Sequence, residues 1–156
     1  MSNPPARRIR TEIIRIKLVE IRDSVRIVSD HLPDKLEDFL QLGLIRDGIY
    51  KKIEHAIENV LDICAIINSD LMLGVPGEDE DILLHLQASG IISPELAGKI
   101  RGMKAFRNIL VHRYGAIDDA IAYRLLQVHL GDFDLFRAGI EEFLEGNASW
   151  NLHNHG

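Results

Sequence analysis

Apolar residues recur along this chain at steps of four and three, the period of an amphipathic helix. The clearest stripe runs Ile14, Leu18, Ile21, Val25, Val28, Leu32, and Pro33 ends it. A short amphipathic piece from Asp34 to about Leu42 follows. After Gly43 a longer helix is marked by Ile53, Ile57, Val60, Cys64, Ile67 and Leu71. Cys64 lies on that stripe and reads as a small buried hydrophobe rather than a nucleophile. The strongest break is Gly74 to Asp81, whose acids suit the first turn of a helix from about Glu80 to Ala88, which stops at Ser89-Gly90. Ser93-Pro94-Glu95 opens the next helix, with Ser93 as N-cap and Pro94 at the first helical position. A final long helix is predicted from near Asp118 to about Glu145, carrying Phe133, Phe136, Ile140 and Phe143 on one face. No segment reads as a strand. The residues after Gly146 read as a polar, frayed tail.

Five or six helices with short connections imply an all-α, antiparallel up-and-down bundle. A chain of 156 residues can bury a proper core without staples, so one domain is expected over residues 1–145, with a polar tail over 146–156. Two stripes sustained for nearly three heptads exceed what one bundle core needs, which points to helix pairing between subunits and a homodimer. The single cysteine excludes an internal disulfide and a thiolate metal site. No apolar run approaches the roughly 20 residues that span a bilayer, and no signal-peptide pattern follows the N-terminal cations. The expectation is a cytoplasmic protein with no membrane partner.

Charge changes the picture. Eighteen Lys and Arg against 24 Asp and Glu leave a net charge of -6, which argues against a protein that coats nucleic acid. The balance is segregated, however. From Leu96 to Tyr114 there are five cations (Lys99, Arg101, Lys104, Arg107, Arg113) and no acid, and from Met1 to Val19 five cations face only Glu12. Setting those two segments aside leaves eight bases against 23 acids, a balance of -15. Phosphate attraction would therefore be local. The basic N-terminal arm, with Arg7, Arg8 and Arg10, reads equally well as a nucleic-acid contact or as a solvated end.

The helix opened by Ser93 carries the stripe Leu96, Ile100, Met103, Arg107, Leu110, Tyr114, which puts a guanidinium where spacing predicts an apolar group. A permanent charge near a core stripe is costly unless it is paired or opens on a cleft. A wider stripe would use Phe106 and leave Arg107 snorkelling on the flank. Asn108 and His112 form an i, i+4 pair on one face. Arg107 and His112, five apart, converge only if the helix ends there, and Gly115 supplies such an end. Together with Lys99, Arg101, Lys104 and Arg113 these residues offer a general acid/base and phosphate-stabilising cations with no opposing carboxylate. Elsewhere His55, His85 and His129 fall at unrelated spacings, and the tail pair His153 and His155 lacks further ligands. Neither a Gly-rich phosphate loop nor zinc spacing is present, so no metal site and no cofactor are expected.

The stretch Gly102-Met-Lys-Ala-Phe-Arg-Asn-Ile-Leu-Val-His-Arg-Tyr114 matches the R-x-x-x-x-H-x-Y motif of the HEPN (higher eukaryotes and prokaryotes nucleotide-binding) superfamily. It resembles more narrowly the HepT toxins of minimal nucleotidyltransferase toxin-antitoxin pairs (type VII). The following Tyr-Gly-x-Ile-Asp and the Leu-Gly-Leu-Ile-Arg-Asp of residues 42–47 extend the resemblance over about residues 8–145. The resemblance implies a metal-independent endoribonuclease acting in a cleft between two copies, with Arg107 and His112 as the catalytic pair and Asn108 as the polar residue beside them. It implies further that a partner nucleotidyltransferase antitoxin attaches AMP to the Tyr114 hydroxyl. Two alternatives stay open on the residues alone: Tyr114 as helix-end packing, and the whole bundle as a non-catalytic module that binds a nucleotide or docks the nucleotidyltransferase.

Overall fold

The computed structural model describes residues 9–111 and 117–155, the last eight of these by backbone only. Among the described residues there are seven helices and no strand: α1 Thr11–His31, α2 Leu36–Leu40, α3 Leu44–Asp70, α4 Asp79–Ala88, α5 Pro94–Val111, α6 Asp119–His129 and α7 Asp132–His155. The apolar stripes become the core. Ile14, Leu18, Ile21 and Val28 of α1 are buried against Ile53, Ile57, Val60, Cys64 and Ile67 of α3, while Val25 and Leu32 are half-buried at its edge. Burial pushes the Cys64 thiol up to about 12, in keeping with its place as a core hydrophobe.

Ion pairs fix the direction of the two longest neighbours. Arg10 meets Asp70 at 2.9 Å, Lys17 meets Asp62 at 3.3 Å, and Asn59 donates to Glu20 at 3.0 Å, so numbering rises along α1 as it falls along α3. The pair is antiparallel. Helix α3 is the hub, because its other faces receive α4 and α5, and α7 closes the bundle against α1 and α5. The short α2 packs on α6, where the Phe39 ring lies 5.0 Å from that of Tyr123.

The starts of α5 and α4 follow their sequence signals, and Gly115, the stop expected for α5, lies outside the described residues. Ser93 Oγ accepts from the Leu96 N–H at 3.0 Å with Pro94 in the first turn, and Asp81 reaches back to accept from the Gly77 and Glu78 N–H groups at the start of α4. A Ser93→Ala variant is expected to lose about 1 kcal/mol of stability, the usual value of a cap, read as a lowered urea midpoint with unchanged slope. No change in midpoint would show that the cap contributes nothing.

Three expectations are corrected. The last long helix is two helices, broken at Leu130-Gly131. Buried Leu126 and Phe133 stand seven residues apart, two turns of a continuous helix, so the stripe runs in phase through the break and periodicity alone merges the two pieces. Leu144, rather than Phe143, completes the buried face of Phe133, Phe136 and Ile140, with Phe143 half-buried beside it. The segment expected to fray after Gly146 is helical to His155, continuing α7. Its polar composition does not prevent the backbone from remaining helical.

Candidate active site

Helix α5 turns Leu96, Ala97, Ile100, Met103 and Phe106 into the core. Of the two positions competing for the inward place near its end, Phe106 wins, at 9% exposure, and Arg107 is left half-buried on the flank with Asn108 exposed beside it. Burying a phenyl ring gains apolar area at no electrostatic cost, whereas a guanidinium directed inward would need a partner. The outcome serves the chemistry. A cation anchored by its aliphatic stem, with its head toward solvent, can receive a phosphate. His112, Arg113 and Tyr114 lie outside the described residues, so of the sequence motif the structure describes Arg107 and Asn108.

The four accessory cations separate into two kinds. Lys99 Nζ lies 3.1 Å from Asp132 Oδ1, and Arg101 Nε donates to Glu80 Oε1 at 2.8 Å. The segment is acid-free along the chain but not in space, because α7 and α4 bring carboxylates to it. Each of these cations is paired with a carboxylate, and the expectation of cations without an opposing carboxylate fails for both. Lys104 is half-buried, and among the described residues neither it nor Arg107 pairs with a carboxylate. Asp132 is shared: its second oxygen lies 3.0 Å from His129 Nδ1, and its side chain is 13% exposed.

That trio sits beside a cavity of about 670 Å³ between α5 and the α6–α7 corner, lined on one side by Gly98, Gly102 and Ile109 and on the other by Leu125, Leu130 and Phe133. Spacing gives His129 no role, gives Asp132 no part in the site, and places Glu80 only at a helix start. Their partners stand 33 and 21 residues away, a separation at which no local pattern could have signalled them. Asp118 caps α6 by accepting from the Ala120 and Ile121 N–H groups. No helix among the described residues is long and apolar enough to cross a membrane.

The mRNA nuclease HepT of Shewanella oneidensis is 27% identical over 125 residues, spanning 80% of this chain and 93% of that protein. A tri-AMPylated Shewanella oneidensis HEPN toxin, solved in complex with the MNT antitoxin, superposes with a TM-score of 0.75 at 26% identity over 83% of this chain and 97% of its own. The cytosolic protein YutE of Bacillus subtilis shares the fold, with a TM-score of 0.75 at 19% identity over 88% of this chain and 92% of its own. The match to the family model covers residues 21–140, more than three quarters of the chain, and places this protein in the Ribonuclease HepT-like family.

Proposed function

We propose that this protein is the toxin of a toxin-antitoxin pair, a cytoplasmic, metal-independent endoribonuclease restrained by a nucleotidyltransferase antitoxin. The observation that carries the reading is the end of α5: Phe106 takes the core position, so Arg107 and Asn108 stand together on the outer flank, a few residues before His112 in the chain. In the reaction, His112 accepts the proton of a ribose 2'-hydroxyl as its oxygen attacks the adjacent phosphorus. Arg107 stabilises the charge that develops on the non-bridging oxygens, and the 5'-oxygen departs with a proton, leaving a 2',3'-cyclic phosphate. Asn108 orients the imidazole or the phosphate. Lys104 and Arg113 guide the RNA backbone, and Lys99 and Arg101 contribute less because each shares its charge with a carboxylate.

A homodimer fits the outer face of α5, where Gly98, Gly102 and Ala105 are exposed beside the apolar cavity, leaving little side-chain bulk to hold a second copy away. Two copies would then face each other across a single cleft, and the acidic remainder of the surface would admit RNA there and repel it elsewhere.

The test is cleavage of RNA by purified protein in excess EDTA. Fragments ending in 2',3'-cyclic phosphate are expected. Absence of cleavage, or cleavage only with added divalent metal, overturns the reading. The division among the cations has its own readout in salt-dependent RNA binding, because each phosphate contact on a single strand contributes about 0.7 to the log-log slope. Lys104→Ala is expected to lower the slope by about that amount, and Arg101→Ala by clearly less. Equal losses would contradict the pairing of Arg101 with Glu80.

A further inference from the structure

Arg46 belongs to the Leu-Gly-Leu-Ile-Arg-Asp segment that contributes to the family resemblance, yet it takes no part in the chemistry above. Its surroundings supply a role. Arg46 and Tyr50 lie one turn apart on α3, and both reach Asp119, the first residue of α6. The Tyr50 hydroxyl donates to Asp119 Oδ1 at 2.5 Å, and Arg46 Nη1 stands 3.5 Å from Oδ2 while donating to the Leu40 carbonyl at 2.9 Å. Tyr50 is buried, and burial together with its bond to Asp119 raises its hydroxyl above the ordinary tyrosine value, so it stays a donor at physiological pH.

A carboxylate at the first turn of a helix is already favoured by the backbone dipole and needs no tyrosine to hold it. Adding a buried hydroxyl and an arginine desolvates all three groups, a cost that apolar packing at the same position would avoid. What the arrangement supplies is location. Tyr50 also meets Phe39 edge-on at 6.0 Å, and one turn further along α6 Tyr123 donates to the Pro33 carbonyl at 2.7 Å. The first two turns of α6 are thus tied to α3, to the turn before α2 and, through Tyr123 against Phe39, to α2, by contacts that do not involve α5. Helix α5 is held by its own buried residues, Ile100, Met103 and Phe106. The chain between the two helices carries His112 and Tyr114.

We propose that Arg46 and Tyr50 are positioning residues of the active site: by clasping Asp119 they set where α6 begins relative to Arg107 and Asn108 at the end of α5. The clasp thereby fixes the far end of the segment bearing the general base and the AMP acceptor. This proposal rests on the functional reading above, and its test separates the two.

Tyr50→Phe keeps the ring and removes only the hydroxyl, and Asp119→Asn keeps an acceptor for Tyr50 but removes the charge that Arg46 faces. Each would be assayed for RNA cleavage and for backbone hydrogen exchange by mass spectrometry. For Tyr50→Phe, kcat is expected to fall about tenfold with KM within twofold, and exchange in peptides spanning 112–121 to accelerate at least threefold while α1 and α3 keep wild-type protection. Asp119→Asn should fall between the variant and wild type in both measurements. Unchanged kcat and unchanged exchange at 112–121 would overturn the clasp. So would acceleration spread equally over all helices, the mark of a merely structural contact. If wild-type protein cleaves no RNA, the functional reading fails by itself, and the exchange measurement still decides whether the clasp acts locally.

Discussion

Replacing His112 by alanine is expected to slow RNA cleavage by about 10² to 10⁴-fold, the usual worth of a positioned acid/base group, while leaving thermal unfolding within about 0.5 kcal/mol of wild type, as for a substitution away from the core. Arg107→Ala should lose a comparable amount, because it removes charge stabilisation at the phosphorane. Arg107→Lys should recover little of it, since an ammonium cannot present two parallel N–H groups to a phosphate. The half-buried stem of Arg107 complicates its alanine variant, and the lysine variant, which retains much of that stem, resolves the ambiguity. If His112→Ala cleaves as fast as wild type while folded, the catalytic assignment is wrong. If the wild-type protein binds RNA without turnover, the bundle is a binding module.

Coexpression with a nucleotidyltransferase antitoxin is expected to add AMP to the peptide containing Tyr114, and Tyr114→Phe should abolish the adduct. The variant keeps the ring and loses the only oxygen that can accept the group. On the proposed function, an AMP group on Tyr114 would add bulk and negative charge close along the chain to Arg107 and Arg113 and would compete with RNA phosphates for those cations. The solved Shewanella toxin carries AMP in its antitoxin complex, which shows that this chemistry operates on a relative of the same fold. Mass spectrometry of a fully neutralised complex decides the matter: an unmodified Tyr114 peptide, or undiminished AMP on Tyr114→Phe, places the modification elsewhere.

The helices themselves were legible in the chain because helical periodicity and capping are local. Ser93 caps α5 and Pro94 opens it as their residue types demand, and Pro33 leaves Leu32 in extended backbone at the end of α1. The break between α6 and α7 escaped because Leu126 and Phe133 stay in phase across it. The helical continuation to His155 is not legible because a polar segment without an apolar stripe carries no periodic signal of a helix.

The candidate site divides in the same way. The motif, the acid-free run of cations and the family resemblance are properties of consecutive residues, and the sequence by itself determined them. It also narrowed Arg107 to two orientations without choosing between them. Only the tertiary structure placed Phe106 inward and Arg107 outward, because that choice depends on what α5 packs against. Only it paired Lys99 and Arg101 with Asp132 and Glu80, and brought Arg46 and Tyr50 to Asp119. The physical reason is distance along the chain: a helix is specified by neighbours three and four residues away, whereas the charge and position of a site are set by side chains tens of residues apart that meet only when the helices pack.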